Sequence, residues 1–154
     1  MTPTAPVFIV GAKRSGTTLL RLILNAHPRI AIPEEIQFFN PWIAAHWREA
    51  APDREAFRER TNAYLRTKLP PNAFEGVDLA ALEAAIVEQA TAYDWRALYA
   101  GALQWWAAQH DKARWGEKTP GNLFYVDTLQ DMFPGARFIH LVRDPRPGVL
   151  SMQK

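Results

Sequence analysis

The sequence contains no cysteine. That removes disulfides, thiolate metal sites and cysteine nucleophiles together, and it fits a reducing compartment. A long hydrophobic run is missing too: the apolar stretch 7–10 is far too short for a signal sequence or a membrane span, and the opening MTPTAPVFIVGAKR has no basic lead. A soluble, cytoplasmic chain with no membrane span is therefore expected. Charge of one sign is not in excess, with 18 Lys and Arg against 16 Asp and Glu. This near balance argues against a nucleic-acid binder that works through bulk positive charge, so no nucleic-acid partner is expected. The four His are scattered, and no His, Asp and Glu cluster has ligand spacing, so no metal is expected either. Repeats and low-complexity tracts are absent, and the 12 Pro are dispersed.

What is present suffices for one domain, since 154 residues can bury a core without staples. Residues 7–10 form a continuous apolar run rich in β-branched side chains and ended by Gly11, the pattern of a strand buried on both faces of a parallel sheet. Residues 17–26 predict a helix with Leu20 and Leu24 on one side, closed by His27 and Pro28. A short strand is expected at 30–32, and Pro33, Glu34 and Glu35 begin a loop. Residues 42–69 mix charge and aromatics at helical spacing until Pro70 and Pro71 interrupt them. Asp78 and Asp94 read as N-caps, the first for a helix carrying Leu79, Leu82, Ile86 and Val87, the second for one reaching about residue 112. Residues 42–114 thus form a helical insertion over the sheet edge, and most of the six Trp are expected to fill core. A helix at 125–132, a Pro134-Gly135 turn and a strand at 138–142 complete an α/β fold, a parallel sheet flanked by helices.

The stretch from Gly11 to Thr18, GAKRSGTT, lies between the first strand and the first helix. Such a turn presents backbone N–H groups at the positive end of the helix dipole, where a phosphate can replace the missing intrahelical acceptors. The spacing of Gly11 and Gly16 matches the first half of the nucleotide-binding P-loop, but Thr17 stands where that motif has the Lys that reaches the terminal phosphates. Lys13 and Arg14 instead bring the positive charge ahead of the second glycine, and Thr17 and Thr18 offer hydroxyls. Two adjacent cations, Ser15 and a Thr pair have no packing purpose in a turn, so the loop is read as a phosphate cradle in a P-loop nucleotide-binding fold.

The segment Lys13-Arg14-Ser15-Gly16-Thr17-Thr18 resembles the first motif of the sulfotransferases that use 3′-phosphoadenosine-5′-phosphosulfate (PAPS), with Lys13 where that family usually has Pro. A second match follows the last strand: Arg143 at the strand end and Ser151 eight residues later align with the pair that holds the 3′-phosphate in the family. Arg supplies a planar fork of donors for that role and Ser a hydroxyl. The stretch 14–35 is most similar to the tyrosylprotein sulfotransferase branch and its bacterial relatives, in which the Glu ending the segment is the catalytic base. The resemblance assigns that role to Glu35, with Glu34 as its rival, and a positioned carboxylate suits an acceptor that must lose a proton. The segment 115–120, WGEKTP, resembles a third family segment whose Lys assists the sulfuryl group and the leaving phosphate, which implies Lys118. Arg14 shares that catalytic work.

The resemblance runs from Pro6 to the last residue and is weak between about 42 and 114. Family members continue well beyond Lys154, so the C-terminal part of the domain is expected to be missing. The implied activity is in-line transfer of a sulfuryl group to a hydroxyl or amine on a small molecule, a glycan or a peptide tyrosine, with adenosine 3′,5′-bisphosphate as product and no metal. Two alternatives stand beside it. A P-loop kinase or NTPase with an altered loop would use Asp144 as a Mg²⁺ carboxylate, and an inactive nucleotide-binding fragment would transfer nothing.

Overall fold

The computed structural model describes residues 5–70, 72–144 and 146. Its elements are β1 (Val7–Gly11), α1 (Thr17–Asn25), β2 (Ile30–Ala31), α2 (Pro41–His46), α3 (Arg54–Thr67), α4 (Leu79–Gln89), α5 (Trp95–Gln109), β3 (Arg114–Lys118), a 3₁₀ turn (Pro120–Tyr125), α6 (Val126–Met132) and β4 (Arg137–Leu141). The strands form one parallel sheet in the order β2-β3-β1-β4. In this register Phe8 lies opposite Glu117 and Phe138, and Ile9 opposite Lys118 and Ile139. The carboxyl ends of β1, β3 and β4 therefore open on the same edge, where parallel α/β sheets place their ligands.

Every residue of β1 is buried, as a strand covered on both faces requires. Phe8 lies at the centre of an aromatic cluster, with the rings of Phe138, Trp115 and Phe133 at 5.3, 5.8 and 5.9 Å. Tyr99 of α5 joins it, stacked on Phe8 at 6.4 Å and tilted against Phe38 at 4.4 Å. Truncating Phe8 to Ala would cost about 3–5 kcal/mol. On the outer side α3 packs on α4, α4 on α5, and α5 on β2 and β3. These helices start where their caps dictate: Asn40, Asp53, Asp78 and Asp94 each accept a bond from a first-turn N–H, at 2.8–2.9 Å.

The expectations for α1, for the start of α4 and for the 125–132 helix, here α6, hold within a residue, and a 3₁₀ turn precedes α6. Three differ in physical detail. The helix after Asp94 stops at Gln109, because Asp111 takes a positive φ of 53° that a helix cannot continue through. The last strand runs 137–141, one residue earlier than expected, since Arg137 pairs with Val7 and leaves Val142 exposed. Most notably, β3 was unforeseen as a strand. Its sequence RWGEK holds a Gly and three charged residues, weak strand formers whose order comes from pairing with β1 and β2. Of the Trp residues, Trp47 and Trp115 are buried, Trp95, Trp105 and Trp106 partly so, and Trp42 is exposed. No helix among the described residues is long and apolar enough to cross a membrane.

Candidate functional site

The loop between β1 and α1 is shaped by three left-handed residues: Gly11, Arg14 and Gly16, at φ 156°, 66° and 102°. Gly11 has no alternative, since a Cβ there would stand 2.6 Å from the Leu141 carbonyl oxygen of β4. The Ser15 N–H donates to the Ala12 carbonyl at 3.2 Å, closing the turn, and the Gly16 carbonyl accepts the first helical bond from Leu20 at 3.1 Å. Gly16 is the N-cap of α1 and has no side chain to cap it. The N–H groups of the first turn are thus left to an outside acceptor, with the helix dipole favouring an anion.

A cleft of about 620 Å³ lies in front of this loop, lined by Lys13, Arg14, Gly16, Thr17, Thr18, Glu35, Pro120 and Arg143. The cradle residues, the carboxylate assigned as base and the arginine at the end of β4 are therefore brought together from positions more than a hundred residues apart. Ser15 is placed differently: its hydroxyl is buried behind the loop, without a hydrogen-bond partner among the described residues. Ser151 lies outside the described residues.

Lys118 ends β3 as a buried side chain on the face toward α1, while Trp115 contacts Tyr99 on the opposite face, the alternation of a strand. Its Nζ donates to Glu35 Oε1 at 2.5 Å and to Thr18 Oγ1 at 3.4 Å. Arg21 gives the two adjacent glutamates different surroundings. This partly buried guanidinium on α1 pairs with Glu34 and donates to the Ile32 carbonyl at 3.5 Å. Asn25 adds a two-way pair with the Ile32 backbone, at 2.7 and 2.8 Å, imitating a neighbouring strand. Together they pin Glu34 to the body of the protein and turn Glu35 to the cleft.

Glu117 was given no role by the sequence, although it adjoins Lys118. It is fully buried and accepts from the Thr119 hydroxyl and from Asn122 Nδ2, the latter at 2.5 Å. Burial pushes its carboxyl up to about 7; the Thr119 hydrogen bond opposes the rise, the Glu35 charge adds to it and Lys118 opposes it. The only sequence signal was negative, a charged residue beside Gly116 in a segment without strand character. Asp144, the rival carboxylate at a strand end, is exposed and paired with Arg146, which holds it below the usual carboxylate range. Among the described residues no three His, Asp or Glu side chains converge as metal ligands.

The cleft thus gathers three cationic side chains and the start of α1, with one carboxylate on its rim. Lys13, Arg14 and Arg143 supply charge, the helix start supplies N–H donors, and Lys118 bridges this donor set to Glu35. A family profile described as "Sulfotransferase family" matches residues 6–154. The Gallus gallus protein-tyrosine sulfotransferase 2 is 30% identical over 147 residues, spanning 95% of this chain and 33% of that protein. A putative protein-tyrosine sulfotransferase of Caenorhabditis briggsae is 26% identical over 155 residues, spanning 95% and 42%. The chain thus spans between a third and under half of the length of these curated relatives. Of solved structures, the sulfotransferase STF9 from Mycobacterium avium aligns at 20% identity and a TM-score of 0.47, over 99% of this chain and 46% of that one. STF1 from Mycobacterium tuberculosis H37Rv aligns at 20% and 0.46, over 94% and 47%.

Proposed function

The chain belongs to the sulfotransferase family, and from that premise we propose that its cleft binds PAPS and that the protein moves the sulfuryl group to a hydroxyl or amine acceptor. One observation carries the reading: the Lys118 ammonium sits between Glu35 on the rim and Thr18 at the start of α1. A single cation thereby touches both the group that would take a proton and the place where the leaving phosphate would rest.

The residues present fit such a donor. A cleft of about 620 Å³ is within the ordinary range for a small-molecule site, and its polar wall consists of N–H, ammonium, guanidinium and hydroxyl donors. When bound, PAPS supplies a sulfuryl group activated by a phosphate leaving group. Lys13, Arg14 and the first-turn N–H groups hold the 5′-phosphate end, in the manner of a P-loop nucleotide-binding fold. Arg143 holds the 3′-phosphate with its planar fork, and Ser151 is assigned to the same phosphate by the sequence resemblance. Glu35 takes the acceptor's proton on its carboxylate as the acceptor bonds to sulfur and the bond from sulfur to the phosphate oxygen breaks. Lys118, already at hydrogen-bond distance from Glu35, stabilises the negative charge gathering on the departing adenosine 3′,5′-bisphosphate. A second cleft, of about 290 Å³, shares Lys13, Glu35 and Pro120 with the first and adds Phe39, Phe124 and Tyr125, and its opening beside Glu35 supports an acceptor approach from that side.

The test is incubation of the purified protein with PAPS carrying labelled sulfate and a panel of phenols, glycans, amines and tyrosine peptides. Label appearing on an acceptor class, and lost with Glu35→Gln, supports the assignment. Donor that binds normally yet yields no transfer to any class supports an inactive nucleotide-binding module instead.

A further inference from the structure

Glu117 lies on the opposite face of β3 from Lys118, buried under the aromatic side chains of the insertion. A carboxyl placed there needs its hydrogen bonds, because an unsatisfied buried polar group costs about 1–3 kcal/mol and a charged one more. Two groups donate to it, and both belong to the segment that follows β3: the Thr119 hydroxyl and Asn122 Nδ2. Thr119 does not end the chain of contacts. Its Oγ1 accepts from the backbone N–H of Gln37 at 3.4 Å, across 82 residues of sequence. Gln37 follows Glu35 by two positions and holds a φ of 47°, a left-handed conformation that a residue of this kind keeps only when its surroundings hold it there. Next to Thr119, Pro120 forms part of the cleft wall.

The titratable groups that face Glu117 are Lys118 on its own strand, Glu35 on the loop, Tyr99 of α5 and Tyr64 of α3. The Tyr99 phenol approaches the carboxyl as a further hydrogen-bonding neighbour, while Thr119 and Asn122 stand at full hydrogen-bond distance from it.

We propose that Glu117 is a positioning residue, whose carboxyl fixes the Thr119 hydroxyl so that Thr119 anchors Gln37 and the loop after β2 presents Glu35 to Lys118 and the cleft. The anchoring stands on the hydrogen bonds alone; its effect on turnover rests on the reading of Glu35 as base. Glu117 is suited to the task because its two carboxyl oxygens meet Thr119 and Asn122 separately, Oε1 the hydroxyl and Oε2 the amide, whereas a Gln in its place would turn an N–H₂ toward one of them.

Amide hydrogen exchange of the whole chain tests the relay, with Thr119→Val, Thr119→Ser and Glu117→Gln compared with the unaltered protein. Thr119→Val removes the acceptor for Gln37 together with one of the two donors to the buried carboxyl, and Thr119→Ser retains both, so the comparison of these two survives if Glu117→Gln does not fold. Exchange at Gln37 is expected to rise about tenfold in Thr119→Val and in folded Glu117→Gln, the loss of roughly one net hydrogen bond, while amides of β1 hold their rates. Thr119→Ser keeps the hydroxyl and should behave as the unaltered protein. With PAPS as donor, kcat should fall while donor KM and the affinity for adenosine 3′,5′-bisphosphate stay within about twofold, the signature of lost positioning rather than lost binding. Unchanged exchange at Gln37 in Thr119→Val, or acceleration in β1 equal to that at Gln37, overturns the proposal. If the unaltered protein fails to bind the bisphosphate, the donor reading falls, and the Gln37 exchange still decides the relay.

Discussion

Lys118 Nζ stands 2.5 Å from Glu35 Oε1 and 3.4 Å from Thr18 Oγ1, so one ammonium ties the loop after β2 to the first turn of α1. The pair is unequal: the Lys118 side chain is 2% exposed and the Glu35 side chain 34%. Water can reach the carboxylate but not the cation, and the two ends of the pair answer differently to substitution.

Glu35→Gln leaves a buried ammonium without its counter-charge, whereas Lys118→Met leaves a carboxylate that solvent can stabilise. Glu35→Gln should therefore lose more folding stability than Lys118→Met, as read by the denaturant midpoint at constant slope. Both should lower turnover, each by about 10²–10⁴-fold, the usual range for a lost general base or a lost charge stabiliser. The reverse order of stabilities would contradict the buried position of the ammonium.

The neighbouring carboxylate should separate cleanly from Glu35. Glu34 is bound to the partly buried Arg21, so Glu34→Gln is expected to lower the unfolding midpoint while kcat stays within about threefold of the unaltered protein. A large loss of kcat with intact stability would exchange the roles of the two residues.

Arg143 lines the cleft at the end of β4. In Arg143→Ala the affinity for adenosine 3′,5′-bisphosphate should fall about 10–100-fold, the worth of charge-assisted hydrogen bonds, while adenosine 5′-monophosphate binding changes little. Isothermal titration of the two nucleotides measures the difference; equal losses would remove Arg143 from the 3′-phosphate.

Glu117 makes stability depend on pH. Its carboxyl is raised in the folded protein to about 7 from an ordinary value of 4.5, so the protonated form is the one the fold favours. Stability from this group is fully present below about pH 4.5 and is lost progressively as pH rises to about 7, by about 3 kcal/mol in all. Urea unfolding at pH 5 and pH 8 should show that loss in the unaltered protein and not in Glu117→Gln. A protein equally stable at both pH values relative to the variant would place an ionised carboxylate at Glu117 throughout.

The elements legible in the sequence are those whose signal is local. The run 7–10, the paired glycines of the loop and the Asp caps at 78 and 94 state their structure within a few residues, and each formed as expected. What was not legible depends on distant partners. The strand RWGEK acquires its form from β1 and β2, so the element that carries Lys118 was unforeseen while Lys118 itself stood out by resemblance. Adjacent glutamates cannot be told apart by composition; Arg21, thirteen residues before Glu34, separates them. Glu117 was hidden for the same reason, since a charged residue shows its burial only when Tyr99, Thr119 and Asn122 close over it.

Ligand-induced thermal stabilisation of the purified protein tests the central claim most directly, that the cleft is built for a 3′-phosphorylated sulfate donor. Adenosine 3′,5′-bisphosphate should raise the Tm, Arg143→Ala should abolish most of that rise, and ATP with Mg²⁺ should give little. Stabilisation by ATP with Mg²⁺ and none by the bisphosphate would contradict the account.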